Sequence, residues 1–354
     1  MNSRYLSTNG FFHDTIVSID GSKFKAVNSS DRNFTKSNIQ RRIDRVEENI
    51  ARYLSRLDEA DKNTKPDVKQ PLQQKLHILK KHLSKLRTIK QTIESGREQQ
   101  VSLTDPDCRA MKTHAIGRTI GYNVQTAVDT KHHLIISHTV TNHVSDRDEL
   151  YRMGQKAQLS IGRKHISVIA DKGYYSGERI KECQEAGITP YVARTQTSEN
   201  KKLGLFSKDD FRYDKDSDAY HCPAGKMIPF SGESLDRTGK MIRRYLSVIT
   251  CKECALKSQC TRGVARRLRR WEHESCLEAM ETQINKQPEL MKLRKQTVEH
   301  PFGTIKSWMG ATHFLTKGLN QVSTEMSLHV LAYNMKRMLN IVGQQALMNA
   351  FKTK

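Results

Sequence analysis

The first hundred residues change from a strand-like to a helix-like hydrophobic pattern. Residues 14–26 (DTIVSIDGSKFKA) carry β-branched and aromatic residues, which predicts a strand with Asp20 and Gly21 near its middle. From 38 to 57 apolar residues recur every three or four positions, and a second run of this kind covers 72–86. A polar stretch containing a proline separates the two runs. The pattern predicts an antiparallel helical hairpin with a coiled-coil-like seam, which we place at residues 36–100.

Strand-like and helix-like segments alternate in the middle of the chain. Residues 121–142 predict a β-hairpin around the polar turn DTKHH, and a helix follows with Ser145 or Asp146 as its N-cap. The run ISVIAD (166–171) predicts a buried strand that ends in an acid. A helix stopped by Gly187 and a strand at TPYVA come next. This alternation is typical of an α/β fold.

The last third of the chain is divided into a polar part and a helical part. Residues 196–275 are polar and contain a cluster of cysteines, which predicts a β-rich insertion with short strands. Helical periodicity resumes at about 276 and continues to 354, with turns near Gly310 and Gly318. The predicted last helix, 321–341, has an apolar stripe of the kind that packs on a core.

The charge of the chain changes the picture by indicating a partner. Sixty Lys and Arg residues against 38 Asp and Glu residues give a net charge of +22 over 354 residues. Such an excess favours a polyanion, because binding to phosphates releases condensed counterions. Nucleic acid is therefore the expected partner, and a basic structural protein is the alternative. The helical hairpin then has three open roles: an arm packed on the body, a dimer contact or an arm that touches DNA.

Membrane and secreted classes are disfavoured by the sequence. There is no run of about 18 apolar residues, and the N-terminus lacks a charged start followed by an apolar stretch. We therefore expect a cytoplasmic protein with no membrane partner. Seven cysteines, an odd number, argue against a disulfide framework.

Three acids stand out by their positions at or near predicted elements. Asp20 lies in the first strand, Asp171 ends the run VIA, and Glu299 lies in the helical stretch RKQTVEHPFGTIKSWM. Carboxylate oxygens suit Mg²⁺ or Mn²⁺, and two such ions can serve both sides of a phosphodiester displacement. Each acid also has a local interpretation, as a turn residue, an N-cap or a salt-bridge partner respectively.

Four cysteines form a separate candidate site in the predicted insertion. They could bind a structural Zn²⁺ through four thiolates, although their spacing is irregular for a zinc ribbon, and reduced free thiols are the alternative. The four are Cys222, Cys251, Cys254 and Cys260.

The order of these acidic segments resembles the DDE transposases of bacterial insertion sequences. The similar stretches are IDGSKFKA, GYNVQTAVD, VIADKGYYS and RKQTVEHPFGTIKSWMGATHF. The last resembles the Tyr-Arg-Glu-Lys pattern of one branch, with Arg294, Glu299 and Lys306 at the Arg, Glu and Lys positions. Arg294 stands one residue further from Glu299 than is common, and Met291 lies where a Tyr is expected.

The resemblance implies a fold, a reaction and a site. The fold would be RNase H-like, a mixed central sheet flanked by helices over residues 1–354, with 36–100 and 196–275 as insertions and the third acid in 276–354. Asp20, Asp171 and Glu299 would hold two Mg²⁺ or Mn²⁺ ions for DNA cleavage and strand transfer, while Arg294 and Lys306 would contact phosphates. Double-stranded DNA, a homo-oligomer during transposition and association with the nucleoid are also implied.

Weaker candidates for the DNA groove follow from strand alternation. Residues 23 and 25 share one face of a strand, as do 123 and 125. We therefore add Lys23, Lys25, Asn123 and Gln125 to the DNA-binding set, with plain solvent exposure as the alternative for the lysines.

Two other functions stay open at this point. One is a non-catalytic basic DNA-binding protein. The other is a truncated, inactive transposase, because Asp20 comes early in a chain that seems to lack the N-terminal helical DNA-binding domain usual in this group.

Overall fold

A mixed six-stranded sheet lies at the centre of the computed structural model, which describes residues 16–62, 66–96, 100–113, 117–194 and 198–352. The strands are β1 (Ile16–Lys25), β2 (Asn33–Thr35), β3 (Gln100–Ser102), β4 (Arg109–Thr113), β5 (Gly117–Asp129), β6 (Ile135–Thr141), β7 (Ile166–Ala170), β8 (Ile188–Val192), β9 (Arg212–Asp214), β10 (Ala219–His221), β11 (Met227–Leu235), β12 (Met241–Tyr245) and β13 (Leu268–Trp271). The helices are α1 (Lys36–Lys62), α2 (Pro66–Glu94), α3 (Glu149–Ile161), α4 (Gly177–Glu185), α5 (Glu199–Lys202), α6 (Val248–Lys252), α7 (Lys257–Cys260), α8 (Glu274–Lys286), α9 (Glu289–Gly303), α10 (Leu319–Val342) and α11 (Gln344–Lys352).

The order of strands in the central sheet is β4-β5-β1-β7-β8, and β6 pairs with β5. β1 is antiparallel to β5 and parallel to β7, while β7 is parallel to β8. A sheet of this mixed type, with helices packed on it, is consistent with the RNase H-like transposase domain that the sequence predicted. The predicted strand ending at Asp171 and the β-hairpin at 121–142 are confirmed as β7 and as β5 with β6.

Two hydrophobic cores fill the two faces of this sheet because its strands alternate their side chains. Val17 and Ile19 of β1 face one core, which α3 and α4 complete. Phe24 faces the other core with Phe302 of α9, and helix α10 closes it through its predicted apolar stripe. Hydrophobic residues therefore pack on both faces of β1, the strand that carries Asp20.

The predicted helical hairpin is formed by α1 and α2. Its seam contains Ile39, Ile43, Val46 and Leu86, which are buried together. Arg87 and Glu47 form an ion pair across the hairpin at 2.8 Å. At its base, β2 and β3 pair as a two-stranded ribbon. The predicted coiled-coil-like seam is therefore present: the two amphipathic helices pack against each other along one apolar stripe.

A second sheet lies in the segment predicted to be a β-rich insertion. Its order is β13-β12-β11-β10-β9, and all its pairs are antiparallel. Buried aromatic residues, including Tyr220 and Tyr245, form its small core.

Two local predictions need adjustment, and one general finding concerns membranes. The helix predicted to start after Ser145 or Asp146 begins at Glu149, and Asp148 occupies the N-cap position. The Asp146 side chain instead accepts hydrogen bonds from Lys23, Asn123 and Gln125. The last stripe extends to Leu319–Val342, and Gly343, with a φ of 80°, separates it from α11. Across the described ranges, every helix is too short or too polar to traverse a bilayer.

The pairing of β1 with β5 leaves no room for a side chain at Gly121. A Cβ there would lie 1.9 Å from the backbone oxygen of Phe24. We expect Gly121→Ala to lower the free energy of unfolding by about 1–3 kcal/mol, the usual cost of overpacking. Gly303→Ala is the matched control, because a Cβ there meets nothing within 4 Å. Thermal or urea unfolding of both variants checks this; equal stability would contradict the close packing of β1 on β5.

Candidate active site

The parallel pairing of β1 with β7 brings Asp20 beside Asp171. Val17 pairs with Val168 and Ser18 with Ile169. Continuing this register by two residues on each chain sets Asp20 next to Asp171, just beyond the end of β7. Neighbouring strands lie about 4.8 Å apart, so two carboxylates 151 positions apart in sequence come to adjacent places.

The chain direction after β7 orients the Asp171 carboxylate. Residues Lys172–Tyr174 form a single 3₁₀ turn, and Asp171 is its N-cap. The Oδ1 atom accepts a hydrogen bond from the N–H of Gly173 at 2.8 Å. This is the usual way for an Asp to satisfy an exposed amide at the start of a turn. The predicted N-cap role and a place in the acidic pair are therefore compatible for this residue.

Asp20 lies in an electrostatic setting that opposes its ionisation. Its pKa is raised from the ordinary 3.8 to about 6, mainly by burial and to a smaller extent by the nearby charges of Asp171 and Asp146. The guanidinium of Arg294 works in the opposite direction, with Nη1 3.8 Å from Asp20 Oδ1. Because a single neighbouring cation does not offset burial and two negative neighbours, a further cation would stabilise this site.

Asp146 is a residue close to the site whose contacts the sequence analysis missed. Its Oδ1 accepts hydrogen bonds from Lys23 Nζ at 3.0 Å and from Asn123 Nδ2 and Gln125 Nε2 at 2.7 Å each. The Gln125 Oε1 atom in turn accepts from the Tyr174 hydroxyl. One carboxylate therefore ties β1, β5 and the turn after Asp171 together.

The same network changes the roles of three sequence candidates. Asn123 and Gln125 are completely buried, and their amides bind Asp146, so they do not line an open groove. Lys23 is mostly buried and paired with Asp146, whereas Lys25 is exposed at the end of β1. The polar residues Lys23, Asn123 and Gln125 show that an internal partner is needed, since buried polar groups are hydrogen-bonded, but they do not identify Asp146 as that partner.

Lys306 also contacts β1, on the face of the sheet opposite to the Asp146 network. It lies in the π-helical turn Thr304–Trp308 that directly follows α9. Its Nζ donates to Ser22 Oγ at 2.6 Å and to the Lys23 carbonyl at 3.0 Å, and it stands 4.4 Å from the centre of the Phe24 ring. Partial burial lowers the pKa of this lysine. The expected phosphate contact is thus held two residues along the strand from Asp20.

Glu299 is on α9, as predicted, but its side chain is directed away from the two aspartates. It is 65% exposed, and its Oε1 lies 4.0 Å from Lys295 Nζ on the same helix. Arg294, five residues earlier, is the residue of this helix that reaches Asp20. In the portions of the chain described, no three His, Cys, Asp or Glu side chains are grouped as a ready metal site. The expected convergence therefore holds for Asp20 and Asp171 and not for Glu299.

The four candidate zinc ligands converge on one small cavity in the second sheet's domain. The cavity holds about 20 Å³ and is lined by Cys222, Cys251, Cys254 and Cys260, all of them free thiols. Arg266 lines it as well, is only 7% exposed and lies 5.1 Å from the Phe211 ring.

Comparison with known proteins gives a family for most of the chain. A family model described as "Transposase DDE domain" matches residues 98–335, about two thirds of the sequence. The matched range contains Asp171, Arg294, Glu299 and Lys306, and Asp20 precedes it. No curated protein gave a significant match.

One solved structure is also similar, weakly. It is a cryo-EM structure of a piggyBac transposase synaptic complex with hairpin DNA, 12% identical, with a TM-score of 0.28. The alignment covers 64% of this chain and 42% of that one, so this chain spans less than half of that protein's length.

The raised pKa of Asp20 predicts how the stability of the protein depends on pH. The folded state binds this proton more tightly than the unfolded chain, so the ionised carboxylate destabilises the fold above about pH 6. We expect Asp20→Asn, measured with a chelator present, to raise the free energy of unfolding near pH 8 by about 1–3 kcal/mol. The gain should shrink as the pH falls to about 4, because Asp20 in the folded wild type is then protonated and, like the Asn of the variant, uncharged. A gain that does not change with pH would contradict the assignment; Glu289→Gln, at an exposed acid, is the control.

Proposed function

Because this chain belongs to the family of transposases with a DDE domain, we propose that it cleaves the DNA ends of a bacterial insertion sequence and joins them to a target. The observation that carries the proposal is the placement of Asp20, in the middle of β1, beside Asp171, which directly follows the carboxyl end of the parallel strand β7. Sites of α/β proteins collect at this edge of a sheet. The pattern around Glu299 further favours the Tyr-Arg-Glu-Lys branch.

The donor set fits the divalent ions that such a reaction uses. Asp20 and Asp171 present hard oxygen ligands of the kind Mg²⁺ and Mn²⁺ prefer. The pKa of Asp20, raised by burial and by its acidic neighbours, is the sign of a site that lacks positive charge. When bound, the ions would activate the attacking water or 3′-hydroxyl and stabilise the leaving oxygen.

Glu299 is proposed as the third acid although it now faces Lys295. The helix that bears it is held against β1 on both sides of this position, by Arg294 at Asp20 and by Lys306 at Ser22. Its only ion pair is a 4.0 Å surface contact, which is worth little. A change of side-chain rotamer away from Lys295 would therefore cost little.

Arg294 and Lys306 are proposed to bind phosphates of the DNA near the reacting bond. Arg294 has a planar fork of donors, of which one nitrogen is near Asp20, and its remaining donors can bind a phosphate. The Lys306 ammonium is already held by Ser22 and the Lys23 carbonyl, so little side-chain freedom is lost on binding. Joining two DNA ends also calls for more than one protomer, and we include a homo-oligomer in the proposal.

The triad is tested by a DNA nicking and strand-transfer assay with Mg²⁺ or Mn²⁺. Asp20→Ala, Asp171→Ala and Glu299→Ala should each lower the rate by at least about a hundredfold, the scale of losing one electrostatic contact to the transition state, while duplex binding persists. Glu289→Ala, an exposed acid at the start of the same helix, is the matched control and should cleave normally.

The other outcomes of that assay separate the alternatives. Cleavage retained in all three variants would overturn the site. A wild-type protein that binds DNA but never cleaves it with either ion would favour the non-catalytic basic DNA-binding protein or a catalytically inactive transposase.

We further propose that the four cysteines around the small cavity hold a structural Zn²⁺. A zinc ion with four thiolates carries a net charge of −2, and the buried guanidinium of Arg266 would compensate part of it. Among the described residues the Arg266 side chain forms no ion pair with a carboxylate; its Nη1 donates a hydrogen bond to the Cys260 carbonyl at 3.3 Å, and its Nε lacks a hydrogen-bond partner. An unpaired buried cation is costly, so an anionic neighbour is expected. The sulfurs would have to close on the ion, since they are not at ligand distance now.

Metal analysis of the purified protein tests the zinc proposal. We expect about one zinc per chain in the wild type and in Cys276→Ser, a cysteine outside the cavity, and almost none in Cys251→Ser/Cys254→Ser. Replacement by Co²⁺ should give the absorption of a tetrahedral thiolate site. A wild-type protein that binds neither zinc nor cobalt would contradict the proposal whatever the folding of the variants.

A further inference from the structure

A large open cavity, which we call the basic groove, lies between the start of α1 and the β4–β5 edge of the central sheet. It holds about 890 Å³. Its lining combines cations with hydroxyl and amide groups, and contains no acidic side chain. The cations are Lys25, Arg41, Arg42 and Arg118.

The charges of the basic groove are uncompensated. Within the described residues, none of these four cations forms an ion pair with a carboxylate, although other parts of the surface are rich in such pairs. Four positive charges around one concave surface create a potential that attracts anions. The groove therefore has the charge complementarity of a polyanion site.

A buried amide in the lining lacks the partners that a finished interior would supply. Asn28 is 3% exposed, and neither its Nδ2 nor its Oδ1 has a hydrogen-bond partner. An unsatisfied buried polar group costs on the order of 1–3 kcal/mol. Because Asn28 lines the basic groove, a phosphate oxygen in the groove could accept a hydrogen bond from its Nδ2.

Arg42 is held in the groove before any ligand arrives. Its Nη1 donates to the Asp31 carbonyl at 2.5 Å and its Nη2 to the Ser30 carbonyl at 3.1 Å. Its guanidinium also stacks over the Phe34 ring at 4.8 Å. Such preorganisation reduces the entropy lost when a guanidinium binds a phosphate.

The position of the basic groove relates it to the candidate active site. Lys25 is five residues after Asp20 on the same strand, which is about 16 Å at 3.3 Å per residue. Along B-DNA, with 3.4 Å per base pair, this distance corresponds to about five base pairs. Asp20 and Lys25 point to opposite faces of β1, because they are an odd number of positions apart, so a duplex that reaches both must pass around the edge of the sheet beyond the end of β7.

We propose that the basic groove binds the phosphate backbone of duplex DNA about five base pairs from the reacting phosphate. The inference rests on the proposed function and adds the path of the DNA. It also assigns the start of the helical hairpin, through Arg41 and Arg42, to a DNA contact, in preference to the other two roles that the sequence left open.

The salt dependence of DNA binding tests the groove. Arg41→Gln/Arg118→Gln changes two exposed groove residues and should make the slope of log affinity against log salt shallower by about 1.8, or 0.9 per phosphate contact. Lys81→Gln/Lys85→Gln removes the same charge from the exposed face of α2 and should leave the slope within error of the wild type. Binding is measured on a duplex oligonucleotide with a chelator present, so that cleavage plays no part.

The outcomes of this experiment are distinct from those of the nicking assay. A wild-type slope in the groove variant, with metal-dependent cleavage intact in the parent protein, would overturn the groove and leave the proposed function standing. An equal loss of slope in both double variants would also overturn it, because binding would then follow net charge alone. Protection of the duplex from hydroxyl radicals should in addition be lost about five base pairs from the cleaved bond in the groove variant only.

Discussion

The burial of the Asp20 carboxyl group beside Asp171, where parallel strands set the two side by side, is the constraint on which the site depends. The β1–β7 register places Asp20 next to Asp171. Burial makes the ionisation of Asp20 unfavourable and raises its pKa to about 6, with smaller contributions from the charges of Asp171 and Asp146. Much of the surrounding structure can be understood as holding this arrangement in place. Arg294 approaches from one face of the sheet, and the Asp146 network fixes the strands from the other.

Keeping the Asp20 carboxylate ionised in this buried place lowers the stability of the fold, and a bound cation would offset that loss. Stability is expected to be lower with both aspartates ionised than with one protonated, and a divalent ion would reverse that balance. The chain belongs to the family with a transposase DDE domain, and the cation proposed for its reaction would offset this cost. The strain is local, since the two hydrophobic cores on either side of β1 are fully formed without the ion.

Much of the fold was predictable, because the elements have clear periodicity. The seam of the hairpin, the strand before Asp171 and the stripe of the last long helix follow from the spacing of apolar residues alone.

The site was less predictable. Asp20 and Asp171 could be found because acids at strand ends need a reason, but Asp146 looked like a helix cap. Its true partners lie on β1 and β5, and tertiary contacts of this kind leave no local pattern. Asn123 and Gln125 were misplaced for the same reason: alternation gives the face of a strand but not whether that face is covered. The direction of the Glu299 side chain depends on a rotamer, which sequence does not specify.

The most direct test of the central claim is the binding of Mn²⁺ to the purified protein without DNA, followed by calorimetry. We predict that the wild type binds Mn²⁺, that binding releases protons near pH 6 as Asp20 ionises, and that Asp20→Asn and Asp171→Asn both abolish it. Manganese binding of equal strength in all three proteins, or none in the wild type, would contradict a shared cation at these two carboxylates.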